Sequence, residues 1–191
     1  MNNPIDIFPS HILAAQPAIG QSQSAAQYLN YLLEERPDLH SAALPWVGHD
    51  DLAELMLERH WSRIKATDLQ ALVDISEHSE CDFWISLAIL LRLFPDAHAE
   101  PPVMSLAHRL IDRINSHSYV MRHSHTPIIS LQGLGLYAKI VENQPSLRLS
   151  DEIDSKARAH VKWLARTRTS APRYAMFNGS PIWAANKADP D

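Results

Sequence analysis

The chain has 191 residues, 46% of them apolar and 20% charged, with one cysteine and a formal charge of −5 at pH 7. That length favours one domain with a sizeable core. A lone Cys81 excludes an intrachain disulfide, and no apolar run approaches the roughly 20 residues that cross a bilayer. Only five glycines occur, while Ala, Leu, Glu, Arg and Gln recur, so the expected class is all-α. The charge is uneven: residues 1–102 carry a balance of −10 and residues 103–191 one of +5. The first residues lack a basic segment and are broken by Pro4 and Pro9, unlike a secretory signal. The expected location is the cytoplasm.

Residues 1–20 hold three prolines and no sustained period, and read as an extended arm. A first helix follows from Ser22 or Ser24 to Arg36, with Tyr28, Leu29, Leu32 and Leu33 on one face and Pro37 as its stop. Residues 37–48 read as a connection with at most one helical turn around Leu39–Leu44. Asp50 or Asp51 is expected to cap a second helix running to about Ile64, with Asp51 and Glu54 as a capping box. A third, from Thr67 to about Glu77, carries its own Thr67–Gln70 box.

From Phe83 to Phe94 only Ser86 and Arg92 are polar. A helix apolar on nearly every side belongs in the centre of a fold. Ser79 is its expected cap, with Glu80 and Asp82 suiting the helix dipole. Pro101 and Pro102 open another helix, lined inside by Leu106, Leu110 and Ile114. Residues 117–127 form a His-rich connection. A helix through Leu131, Leu134 and Val141 ends before Pro145, and Ser150 caps a last one buried along Ile153, Ala157 and Val161. Residues 170–191 read as an irregular tail packing on the domain or a partner, since they carry Tyr174, Phe177 and Trp183. The sum is a compact bundle of about seven helices over residues 21–169. Stacked antiparallel hairpins in an α-solenoid-like order are the alternative arrangement, without a self-similar period to name a repeat.

Several constellations bear on chemistry. His117, His123 and His125 could hold a metal, but no cysteine or carboxylate shares their spacing, and surface histidines in a loop are the simpler reading. His49-Asp50 is the doublet of the HD family of all-α metal-dependent phosphohydrolases, yet its partner histidine and aspartate are not in place; Asp112 would be the downstream ligand. These two sets define an alternative metal-dependent hydrolase with a divalent cation. Otherwise no cofactor is expected. Gly133-x-Gly135-x-x-Ala138 matches a dinucleotide-binding pattern, but that motif needs a parallel sheet, and the glycines read instead as close helix packing or a kink. Cys81 reads as a buried structural thiol. Lys156, Arg158, Lys162, Arg166, Arg168 and Arg173 form a basic run with no acid among them. It could meet phosphates or dock on the acidic half; nucleic acid is not the expected partner of so acidic a chain.

The stretch from Leu72 to Leu91 leads from a short helix through a polar turn into Cys81-Asp82 and an apolar helix anchored by Ala88 and Ile89. It resembles small helical domains of unknown function found among immunity proteins of polymorphic toxin systems. The likeness spans some twenty residues and implies a bacterial protein that binds another protein and carries no catalytic residues. With no complete catalytic set present, the expected function is a non-enzymatic protein-binding module. Its partner would be a basic toxin or effector. The expected contact residues are Asp50, Asp51, Glu54 and Glu58 on an acidic helix, and Tyr174, Phe177 and Trp183 in the tail.

Overall fold

A computed structural model describes residues 4–15, 24–59, 61, 66–93, 100–120, 129, 131–167, 173–177 and 180–184, the last two segments by backbone alone. The described residues form nine α-helices and one two-stranded hairpin. The all-α class follows, with two more helices than the apolar periodicity predicts. None of these helices is long and apolar enough to cross a membrane.

The central helix, α6 (Phe83–Leu93), is preceded by α1 (Ser10–Leu13), α2 (Ala25–Glu35), α3 (Pro37–Ala43), α4 (His49–Glu58) and α5 (Ala66–Glu77). It is followed by α7 (Pro101–Asn115), α8 (Leu131–Asn143) and α9 (Asp151–Thr167). Every residue from Phe83 to Leu90 is buried, because α6 touches α4, α5, α7 and α8. The contacts run in two series. Helices α2, α4, α6 and α8 touch in succession, and so do α1, α3, α5 and α7. Contacts of α2 with α3, α5 with α6, α6 with α7 and α8 with α9 join the series. The helices thus form two interleaved layers within a compact all-α arrangement.

Several local expectations shift, each for an identifiable reason. Residues 4–15 of the N-terminal arm are not extended: a turn and α1 place Ile5, Phe8 and Ile12 in the core. Two tyrosines of α2 hold it there, Tyr28 donating to the Ile12 carbonyl at 2.7 Å and Tyr31 to that of Ala15 at 3.1 Å. Pro37 does not merely stop α2. It sits at the first position of α3, where its missing N–H costs nothing, and Asp38 follows in the first turn. Helix α4 is capped two or three residues earlier than expected: Gly48 is the N-cap, and the Asp51 carboxylate accepts its N–H at 3.0 Å. Helix α6 is capped by Asp82, not Ser79, through Oδ1 accepting the Ile85 N–H at 2.9 Å. Ser150 does cap α9, accepting the Ile153 N–H at 3.4 Å. Residue 65, before α5, lies outside the described residues.

Helix α4 ends at Glu58, short of Ile64, because Arg59 leaves the helical region with φ −75° and ψ 136°. That turn sends its guanidinium inward, where Nη2 donates to Asp68 Oδ1 at 2.6 Å. Nη1 reaches Asn30 and Glu34 on α2, and the group lies 5.2 Å from the Trp61 ring centre. Both Arg59 and Asp68 are buried. Removing one member of such a pair strands a charge in the interior, at about 3–5 kcal/mol.

The irregular tail is replaced by a hairpin: β1 (Arg173–Phe177) pairs antiparallel with β2 (Ser180–Ala184), Phe177 opposite Ser180. The sequence carries its cause, since Asn178-Gly179 is a preferred two-residue hairpin turn between aromatic-rich segments. Strand β2 lies against α4.

Two stability predictions follow from buried and open positions. His40 on α3 is 1% exposed, and burial pushes its pKa down to about 4, with Arg59 acting in the same sense and Asp74 opposing. The unfolded chain, titrating near 6.5, takes up this proton first. Stability is therefore lost as pH falls from about 6.5 to about 4, by on the order of 3 kcal/mol. Urea unfolding across that range should show a flatter acid dependence in His40→Leu. Gly135 lies within α8, and a Cβ there would meet nothing within 4 Å. It is no close-packing glycine, and Gly135→Ala should raise stability by about 0.5–1 kcal/mol in the same assay.

Candidate functional site

Helix α4 buries Leu52, Ala53, Leu55, Met56 and Leu57, pressed between α2 and α6. What remains turned outward is acidic. The Asp50 side chain is 98% exposed. Asp51 is occupied with the Gly48 N–H, and Glu54 accepts the Ser24 hydroxyl at 2.9 Å. Glu58 is exposed, yet partial burial of its carboxyl and the neighbouring Glu54 hold it above the usual carboxylate range, with Gln27 opposing. Asp50, Glu54 and Glu58 are spaced one helical turn apart, so the four expected contact acids do share one side of α4. Among the described residues no Lys or Arg forms an ion pair with any of them. The other three expected contact residues lie in the hairpin, with Tyr174 paired to Trp183 and Phe177 beside the turn. Their side chains lie outside the described residues.

At the start of α4 the structure makes a connection that spacing could not reveal. His49 is 10% exposed, and its Nε2 lies 3.1 Å from Oδ2 of Asp82, itself 1% exposed. The two stand at ion-pair distance without the alignment of a full hydrogen bond. Nδ1 of the same ring lies 3.2 Å from Asp50 Oδ1. One imidazole thus joins a surface carboxylate to the carboxylate capping the core helix. Next to Asp82, Cys81 is buried, with Sγ 3.3 Å from the Ser86 hydroxyl. Burial pushes its thiol up to about 11, so at neutral pH it is protonated and not the nucleophilic thiolate.

The metal alternative finds no assembled ligand set among the described residues, where no three His, Cys, Asp or Glu side chains are placed to hold a metal ion. His49 faces Asp82, Asp112 is exposed on α7, and His40 is buried on α3. His117 is exposed, with φ 56°; His123 and His125 lie outside the described residues. Gly133 and Gly135 fall inside α8, so the strand and phosphate-binding turn of a dinucleotide site are not formed there. In the basic run, Lys156 bonds Glu152 at 2.6 Å and Arg158 bonds Asp154 at 2.7 Å, both one turn back on α9. These two cations therefore dock on acids of their own helix and not on the acidic half. Arg168 lies outside the described residues, as does the side chain of Arg173.

A cavity of about 450 Å³ opens between α8 and α9. Its floor includes Tyr137 and Val141, and its rim holds the Arg148–Asp151 and Arg158–Asp154 pairs. Tyr137 is committed to structure, accepting the Leu149 N–H at 2.8 Å and donating to the Leu147 carbonyl.

The His49–Asp82 junction is open to a double-mutant cycle. Asparagine is as good an N-cap as aspartate, so Asp82→Asn keeps the cap while removing the charge. Combined with His49→Gln, it should show a coupling of about 0.5–3 kcal/mol in urea unfolding. Additive losses would mean that the two groups are neighbours without being partners.

The chain matches no model of a known protein family, no curated protein and no solved structure.

Proposed function

We propose that this chain is a non-enzymatic helical protein-binding module, an immunity or accessory protein that neutralises a partner, and that it receives a basic partner on the outer face of α4. The observation that carries this reading is the column Asp50, Glu54 and Glu58, three acids at one-turn spacing with no described Lys or Arg in an ion pair with them. Like charges at that spacing cost a helix about 0.2–0.5 kcal/mol per pair. A protein keeps such a cost readily where a binding surface needs it. A partner presenting Lys or Arg would remove the repulsion and be drawn in by long-range attraction. The resemblance of residues 72–91 to immunity-protein domains supports the same class.

The reading predicts opposite effects on the free chain and on the complex. Glu58→Gln should stabilise the free chain at pH 7 by about 0.2–0.5 kcal/mol. Because the folded carboxyl titrates above its unfolded range, this gain should fade as pH falls towards that range and be gone below it. The triple reversal Asp50→Lys, Glu54→Lys and Glu58→Lys should slow association with the partner more than tenfold and remove its salt dependence. The direct assay is co-purification with the product of the neighbouring gene, followed by association kinetics. A pair that does not associate at micromolar concentration, or that ignores the triple reversal, would refute the assignment.

A further inference from the structure

The basic run that the sequence sets against the acidic half acquires a different role once its side chains are placed. From Ser155 to Ala188 the chain holds seven Lys and Arg and no acid. The first two, Lys156 and Arg158, find carboxylates in the opening turn of α9. The next two, Lys162 and Arg166, are exposed, lie one turn apart and form no ion pair among the described residues. Between them stands Trp163, 48% exposed. Its indole is not loosely held. It lies 5.6 Å from the His160 ring at 30°, and His160 stacks on Trp84 at 4.3 Å and 26°. Trp84 is buried on α6, with Phe83 edge-on at 4.8 Å. A ladder of stacked and tilted rings thus rises from the core helix to the surface and emerges beside the two cations.

We infer that this face of α9 binds single-stranded nucleic acid, with a base on Trp163 and phosphates on Lys162 and Arg166. A pre-oriented aromatic platform flanked by cations is the combination such strands use, because every base offers a π-face and every linkage a negative charge. An acidic protein segment would satisfy the cations, but only a nucleic-acid strand carries a π-face beside every negative charge. The chain's net charge does not forbid the contact. At physiological ionic strength charges beyond about 8 Å are largely screened, so the local balance on α9 governs. The inference is independent of the α4 reading, which concerns another helix and a partner of opposite charge.

The test is fluorescence anisotropy of a short labelled oligo(dT) titrated with the full chain, with tryptophan emission followed in parallel. Binding should quench emission, and its affinity should fall with salt at a log–log slope of about −1.4, from two neutralised phosphates at roughly 0.7 each. Trp163→Ala should weaken binding about 5- to 150-fold at an unchanged slope, the worth of one stacked base. Lys162→Glu with Arg166→Glu should abolish the salt dependence along with most of the binding. Far-UV circular dichroism of each variant serves as the folding control. Absence of binding at low salt would overturn the inference. So would retention of full affinity in Trp163→Ala. Poly-glutamate competing as well as oligo(dT) would overturn it too, by assigning the face to an acidic protein.

Discussion

The structure depends on covering one helix. Helix α6 offers almost no polar side to water, so α4, α5, α7 and α8 must all reach it, and the two-layer order of the helices follows from that demand. Arg92 shows how little polarity the helix tolerates. Its guanidinium is pulled down to about 10 by burial and reaches back to the Met56 carbonyl on α4. At the other end, the orphan N–H groups of the first turn need an acceptor, and Asp82 supplies it while almost wholly buried. A carboxylate so deep needs a further partner, and His49 at the head of α4 stands beside it. Cap, core helix and α4 are thereby tied at one point.

The N-terminal layers hold a second buried polar centre of a different kind. Arg59 gathers Asp68, Asn30 and Glu34 around one planar fork, a geometry that a lysine ammonium could not match. It acts as a joint: by ending α4 early, it frees the chain to turn into α5 while holding α2 in place. His40, on the adjoining α3, is held neutral by burial in the same region. Such groups add little net stability over apolar packing, but they penalise every misregistered arrangement of the helices around them.

Around this frame the charge is separated. Acids line the outer side of α4, while cations with no ion pair among the described residues stand on the second half of α9 beside an exposed indole. The two faces carry opposite charge on different helices. The one buried thiol is held protonated. Helix α6 stands behind both faces, touching α4 directly and α9 through the Trp84–His160 stack.

Composition and periodicity determined the all-α class, the central place of residues 83–93 and the buried stripes of α2, α7 and α9, since each rests on a local pattern of apolar side chains. The Ser150 cap was legible for the same reason. The acidic column on α4 could also be read, because helical spacing alone aligns positions 50, 54 and 58. Other features needed tertiary structure. The N-terminal segment has no period of its own and is ordered by two tyrosine hydroxyls from α2. Whether Ser79 or Asp82 caps α6 turned on which side chain the packed helix could reach. The Arg59–Asp68 and His49–Asp82 pairs join residues 9 and 33 positions apart, with no motif linking them. The hairpin had its signal in Asn178-Gly179, but the surrounding helical composition outweighed it. The basic run was visible as charge, and only the folded chain decided that its first cations serve their own helix while the next two flank a tryptophan anchored in the core. Local patterns specify elements; which polar groups meet across them is set by packing, because those partners lie far apart in the chain.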